Sequence, residues 1–311
     1  MPHKATFVGA LGVGLLCVGI LLRPALALAQ VRGVYPTGMN ATNAGVTPAS
    51  GLTYSNLFIF NSRDERVGPE GEVLATGQQA IMIDLNTLAW VSEKRFLGGA
   101  RFSATATLLF SNSSLASDAQ GQLSGGGGFA DSFYQPLILG WSTKRIDWRV
   151  AYGFLAPTGR FVAGAEDNVG SGYWTHAPST GATLFLTEDR ATAVSVFQMY
   201  EFHTTQEGTG IQPGQTYSID YSLTHTLRPQ PGLHVQLGLV GYSQWQTTDK
   251  AGPGVTPEQA ADHYAVSALG FATSVLLPPR QASVALKYFH ELGARSTFRG
   301  YSLQISGAIG F

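Results

Sequence analysis

From Gly51 to Phe311 the chain alternates apolar with small or polar residues, one by one, in segments of about 10 to 16 residues. This period of two constrains the fold more than any other feature of the sequence. In Gln215–Leu227, Tyr217, Ile219, Tyr221, Leu223 and Leu227 share one face, while Thr216, Ser218, Asp220, Ser222, Thr224 and Thr226 share the other. Only a strand turns successive side chains to opposite faces in this way. The same pattern closes the chain: Tyr301, Leu303, Ile305, Gly307, Ile309 and Phe311 oppose Ser302, Gln304, Ser306, Ala308 and Gly310. It recurs in Ile81–Val91, Ile146–Phe154, Leu233–Gln246 and Ala282–Glu291. Weaker segments at Leu52–Ser62, Arg101–Ser111, Ser132–Ser142, Ser171–Thr187, Ala191–Thr204 and Tyr264–Leu277 bring the expected total to about twelve strands, with a range of 10 to 14. No segment sustains an amphipathic helix, and 260–265 holds a helical turn at most.

Composition decides what covers the apolar faces. Charged residues are only 13% of the chain, about half the usual share of a soluble domain, yet no apolar run of 18 residues follows the opening segment. A membrane barrel fits both facts, because each strand needs an apolar residue only at every second position. The expected fold is therefore all-β: a transmembrane, antiparallel, up-and-down β-barrel over 51–311.

Residues 1–29 read as a secretory signal, with His3 and Lys4 before an apolar stretch from Phe7 to Leu22 and two Ala-x-Ala sites at Ala25–Ala27 and Ala27–Ala29. Cys17, the single cysteine, would leave with it, so disulfide and thiolate chemistry are not expected. Losing Lys4 and Arg23 takes the basic count from 19 to 17 against 20 acids, which gives no reason to expect a nucleic-acid partner. Residues 30–50 are rich in Gly, Thr, Asn and Ala without a period, and read as a lead-in or plug segment.

Connection lengths alternate. Thr143–Arg145, Glu188–Arg190, Pro229–Gly232 and Pro278–Arg280 read as tight turns, and Asn112–Ala130, Gly159–Gly170, Thr205–Gly214 and Thr248–Asp262 as long polar loops. The Gly125–Gly128 run falls in one of these loops. Short turns on one rim and long loops on the other are the habit of outer-membrane barrels. Trp141, Trp148, Trp174 and Trp245 fall near strand ends, where aromatic girdles belong.

Sites with a catalytic signature are missing. There is no Gly-x-Ser-x-Gly elbow, His-Glu-x-x-His pair, phosphate-binding loop or dinucleotide fingerprint, and the seven histidines show no metal-ligand spacing. Neither enzymatic activity nor a cofactor or metal is expected. A Ser222–His234 pair on neighbouring strands is the arrangement a lipid-acting barrel enzyme would need. The residues expected to line the lumen are Asp84, Asn86, Asp147, Arg149, Glu201, Asp220, His234, Gln236, Lys287 and Glu291, with apolar Met82, Phe197, Met199 and Phe289 beside them. Both signs of charge occur, which argues against a strongly ion-selective pore.

Several stretches resemble the outer-membrane proteins grouped as the family of the meta-pathway of phenol degradation. They are Tyr35-Pro36-Thr37-Gly38, Pro48 to Asn56, Leu139-Gly140-Trp141, Tyr152 to Arg160, Asn168 to Pro178, Gln215 to Tyr221, and Gly238 to Gln246 with Thr247-Thr248-Asp249. The resemblance implies a barrel in the bacterial outer membrane, a channel or transporter linked to uptake of aromatic or other hydrophobic compounds. Expected partners are membrane lipid and lipopolysaccharide, a small solute, and the barrel-assembly machinery, which would read Tyr301–Phe311. The alternative is a structural or adhesion barrel with a plugged lumen.

Overall fold

The computed structural model describes residues 32–117, 121–165 and 167–311, so the expected signal segment lies outside the described residues. Strands β1 (Gly51–Val67), β2 (Val73–Phe96) and β3 (Ala100–Ser117) are followed by β4 (Gly121–Phe129), β5 (Ser132–Ser142), β6 (Ile146–Ala156) and β7 (Thr175–Phe185). Then come β8 (Thr192–His203), β9 (Thr216–Gln230), β10 (Leu233–Gln246), β11 (Ala265–Leu277), β12 (Ala282–Arg295) and β13 (Thr297–Gly310). Each pairs antiparallel with its neighbours. The sheet closes on itself because β1 pairs with β2 on one side and β13 on the other, Asn56 standing between Asn86 and Gly307.

The thirteen segments close as twelve wall strands. Both β4 and β5 run along β3, β4 meeting its far half at Phe110↔Phe129 and β5 its near half at Thr107↔Phe133. They are one wall strand, interrupted at Ala130-Asp131. The interruption is held from inside the loops: the buried Asp131 carboxylate accepts from the Gly159 N–H (2.9 Å) and the Ser171 N–H (2.7 Å).

One rim carries Gly51, Phe311 and the turns after β5, β7, β9 and β11, while β1–β2 and β12–β13 turn tightly at the other. On the first rim the Thr143 Oγ1 accepts from the Ile146 N–H (3.0 Å), and Pro278–Arg280 forms a single 3₁₀ turn. The opposite rim carries three long connections, 157–174, 204–215 and 247–264. The last contains helix α1 (Pro257–Ala261), opened by a reciprocal capping box between Thr256 and Gln259. That helix starts three residues before the turn expected at 260–265.

Residues 112–130 differ from expectation. Of these, 112–117 and 121–129 pair as β3 and β4 instead of a loop, with Ser111↔Gly128 and Asn112↔Gly127 in register. Ladder pairing uses backbone groups, so a Gly and Ser run still serves a strand where a neighbour is available. A Cβ on Gly126 would lie 1.9 Å from the Asp167 carbonyl oxygen, so glycine there lets the 157–174 loop rest on β4.

The alternation separates two environments. On β9, Thr216, Ser218, Asp220, Ser222 and Thr224 are buried inside the barrel, while Leu223 and Leu227 are exposed on the outer wall. Every backbone group within such a closed sheet finds a partner in the wall, which is what hydrocarbon demands of a spanning chain. Trp141 and Trp148 stack at 4.0 Å near the turn rim, with Trp90 against Phe102. Trp174, Phe202 and Trp245 are exposed near the loop rim, so aromatic rings mark both ends of an apolar band.

Candidate solute pathway

Residues 32–50 run through the barrel from the loop rim down to Gly51. Their backbone has no ladder of its own, and side chains of the wall supply the partners instead. At the top, the Arg32 guanidinium donates to both carboxylate oxygens of Glu291 (2.5 and 2.9 Å), which also accept from the Tyr242 hydroxyl (2.8 Å) and the Gly300 N–H (2.9 Å). Below it, Glu201 accepts from the Tyr35 N–H (2.8 Å). Asp220 receives the Tyr35 hydroxyl and the N–H groups of Gly38 (2.9 Å) and Asn40 (3.1 Å). From the opposite wall the Lys287 ammonium donates to the carbonyls of Gly38 (2.9 Å) and Met39 (2.6 Å).

Near the turn rim the segment lies against glycines. A Cβ on Gly181 would stand 2.1 Å from the Ala44 carbonyl oxygen, and one on Gly140 would stand 1.9 Å from the Thr47 Oγ1. The buried apolar groups lie where the segment crosses. Tyr35, Ala44, Ala177, Phe197 and Met199 form one cluster, and Ala41, Val240, Tyr242 and Phe289 belong to another.

The segment leaves a cavity of about 340 Å³, lined by β1, β2, β3 and β13 on one side and by residues of β5–β8 and β12 on the other. Its walls are mostly apolar or hydroxylic, including Leu57, Leu85, Leu109 and Thr107, with Arg149, Glu201 and Lys287 as charged members, the last already held by the Gly38 and Met39 carbonyls. A second space of about 160 Å³ lies nearer the turn rim, lined by Thr47, Arg95, Arg101, Gly140, Ser142 and Asp147. A mostly apolar cleft with a few polar groups is the common form of a small-molecule site.

The structure puts Glu201, Asp220, Gln236, Lys287 and Glu291 inside, all buried, and Arg149 half-buried against the larger cavity. Asp147 lies at the lower space, tied to Arg190 and to the Ser142 hydroxyl (2.6 Å). His234 shares the face of Gln236, beside the short β9–β10 turn. Phe197, Met199 and Phe289 also face inward.

Asp84 and Asn86 do not: they point outward, on the face of Leu88 and Trp90, which are 49% and 47% exposed, and opposite the buried Leu85 and Val91. Met82 goes with them. The polar members of β2 are expected inside because water is the ordinary home of a carboxylate. Here the alternation of β2 wins, and the polar groups satisfy one another on the outer wall. The Asn56 amide donates to Asp84 (2.5 Å), as does the Asn86 amide (3.0 Å), and the Tyr54 hydroxyl donates to Asn86 (2.6 Å).

The Ser222–His234 pairing is also corrected. Ser222 stands opposite Val240, six residues along β10 from His234, about 20 Å away. His176 is on the outer wall, bonded to the Tyr152 hydroxyl (2.7 Å), and His203 is bonded to Thr175 (2.8 Å). Arg32, Tyr35, Arg95 and Arg101 line or fill the lumen, which the sequence does not indicate. Arg32 and Tyr35 lie in an aperiodic segment whose faces cannot be read from spacing. Arg95 and Arg101 flank the β2–β3 turn, where charge reads as solvated surface.

Compared with known proteins, residues 62–306 match the family described as putative MetA-pathway of phenol degradation. The chain belongs to that family. No curated protein matches it in sequence. Among solved structures, an outer membrane channel from Pseudomonas putida F1 superposes with a TM-score of 0.71 at 13% identity, covering 87% of this chain and 98% of that one. The β domain of the Bordetella autotransporter BrkA superposes with a TM-score of 0.51 at 11% identity, covering 85% and 100%. The fold is that of the outer-membrane barrels of Gram-negative bacteria, with its apolar band in contact with membrane lipid. The turn rim accordingly faces the periplasm and the loop rim the cell exterior.

Proposed function

We propose that the protein is a passive outer-membrane channel for small hydrophobic or aromatic compounds, and that it acts without catalysis. The observation that carries this reading is the 340 Å³ cavity beside residues 34–40, apolar on most of its surface, with a separate smaller space around Arg101 nearer the periplasmic rim. Water-filled porins for sugars have a wide polar lumen, whereas twelve strands enclose a narrow one that side chains and segment 32–50 largely occupy. The family's description points to the same class of solute, and the similar Pseudomonas putida protein is titled an outer membrane channel. Single-channel recording on refolded protein tests it. The expected result is a small conductance that falls as phenol occupies the cavity. A well-folded barrel with neither conductance nor solute flux would discard transport.

Segment 32–50 favours a second reading, in which the lumen is permanently plugged and the 157–174, 204–215 and 247–264 loops bind a partner. Deleting the tip of the 247–264 loop separates the two, because a channel keeps its conductance and an adhesin loses its binding. In either case Tyr301–Phe311 would be the segment read by the barrel-assembly machinery.

A further inference from the structure

Charge is not evenly distributed along the lumen. Toward the loop rim Arg32 is paired with Glu291 and Lys287 stands across the segment from Asp220, while Arg63 and Glu201 have no ion pair of their own among the described residues. Toward the periplasmic rim the unpaired groups are all cations. Among the described residues Arg149 has no carboxylate partner; its guanidinium donates to the Asn40 side-chain oxygen (3.0 Å) and lies 5.8 Å from the centre of the Phe197 ring. Arg101 is likewise without an acidic partner, and its buried Nε makes no hydrogen bond. Arg95 stands directly opposite Arg101 across the β2–β3 ladder, a like-charge pair that costs stability wherever it occurs. The one acid in the lower space, Asp147, is already taken by Arg190. Three guanidinium groups thus follow one another toward the periplasmic rim, and no carboxylate among the described residues answers them.

We propose that the ligand answers them: the lumen cavity takes aromatic or short aliphatic monocarboxylates, with Arg149 as the carboxylate anchor and Arg101 and Arg95 as the next positions toward the periplasm. This rests on the channel reading above and names the substrate class of that same cavity. A guanidinium presents two parallel N–H donors that match a carboxylate. The remaining lining suits a ring or short chain and is poor for a phosphate ester or a sugar, whose polar groups would lose water without finding partners. The upper end sets a further limit. Glu201 also lines the cavity and sits, by the β7–β8 register, about four residues up the wall from Gly181, which pairs with Arg149. That is about 13 Å. A second carboxylate on the ligand would meet it and be repelled, so the acid end points to the periplasm and the apolar end to the loops.

Calorimetry on the full mature chain in detergent, with benzoate, benzamide and benzylamine as probes, tests the assignment. Benzoate should bind at least about tenfold tighter than benzamide, and benzylamine weakest. Arg149→Gln should bring benzoate to within about twofold of benzamide and leave benzamide unchanged. Arg101→Gln should leave benzoate affinity within about twofold and slow benzoate flux into proteoliposomes several-fold. Wild-type protein that binds benzamide as tightly as benzoate overturns the proposal, and so does an Arg149→Gln barrel that keeps the preference. The wild-type comparison decides the matter even if the variant does not fold, which heat-modifiable gel mobility reports. Conductance without discrimination by ligand charge sinks the carboxylate assignment alone. Absence of both conductance and binding sinks the channel reading with it.

Discussion

Replacing Asp220 with alanine should loosen the middle of the luminal segment while leaving the barrel closed. Asp220 is fully buried on β9 and accepts from the Tyr35 hydroxyl and the N–H groups of Gly38 and Asn40. It also faces the Lys287 ammonium, which the carbonyls of Gly38 and Met39 hold. Alanine removes both acceptor oxygens, and with them all three hydrogen bonds, and leaves Lys287 without its nearest negative charge. Breaking a buried ionic arrangement by deleting one partner costs about 3–5 kcal/mol. That lowers the docked fraction of residues 35–40 relative to the undocked one by roughly two to four orders of magnitude. Arg32 on Glu291 and the Gly45 N–H on Thr183 (3.0 Å) still hold the two ends, so the segment should bow instead of leaving. In planar bilayers the variant should conduct more and fluctuate between levels. Asp220→Asn, which keeps one acceptor oxygen, should fall between wild type and Asp220→Ala. Heat-modifiable mobility on gels should stay normal for both. A normally folded Asp220→Ala barrel with wild-type conductance and noise would refute the claim that this carboxylate anchors the segment.

Three further outcomes follow from the same geometry. Gly181→Val should displace residues 44–47 and raise conductance without unfolding the wall, because its new Cβ would collide with the Ala44 carbonyl; unchanged conductance contradicts this. Asp84→Asn keeps a hydrogen-bonding group beside Asn56 and Asn86 while removing charge from the lipid face, some six residues up β2 from the Trp90 girdle, about 20 Å along the strand and about 15 Å in height at a barrel's tilt. Stability in bilayers, read from denaturant unfolding, should rise by about 1 kcal/mol, and a loss would show that the charge itself is needed. In the 157–174 loop the Arg160 guanidinium, 2.8 Å from Asp167, holds that carboxyl below its ordinary value. A depressed carboxylate contributes order that is present above its unfolded value and lost as pH falls through the folded one. Hydrogen exchange at Val169 and Gly170, whose N–H groups bond Arg160, should therefore stay protected from neutral pH down to about 4 and fade below it; fading near pH 6 goes against the pairing.

The wall was largely legible because its rule is local. On β9, β12 and β13 each residue's environment follows from its parity, and Asp220, Lys287, Gln304 and Glu291 face the side that alternation assigns. Parity does not say which face is which, and β2 shows this. Ile81, Ile83 and Leu85 form the more apolar row, yet that row faces inward and Asp84 and Asn86 face lipid. The choice was made by closure with β1 and β3, a pairing no window of β2 contains. The site was less legible for a related reason. Segment 32–50 has no period, and its partners Glu291, Asp220 and Lys287 lie 180 or more residues away. The unmatched state of Arg149 and Arg101 is a property of what surrounds them in space, which counting charges along a chain does not show.

The path of residues 32–50 bears on how the molecule is made. Arg32 sits near the exterior mouth and Gly51 at the periplasmic one, so the thread occupies the full depth of the cylinder. Once β1 has zipped to β13, Arg32 could reach Glu291 only by climbing the finished bore past Lys287 and Asp220. Wrapping the strands around a thread already laid in place avoids that climb. The last seam to form would then seal its own stopper inside, and nascent chains lacking the thread would shut around an empty bore.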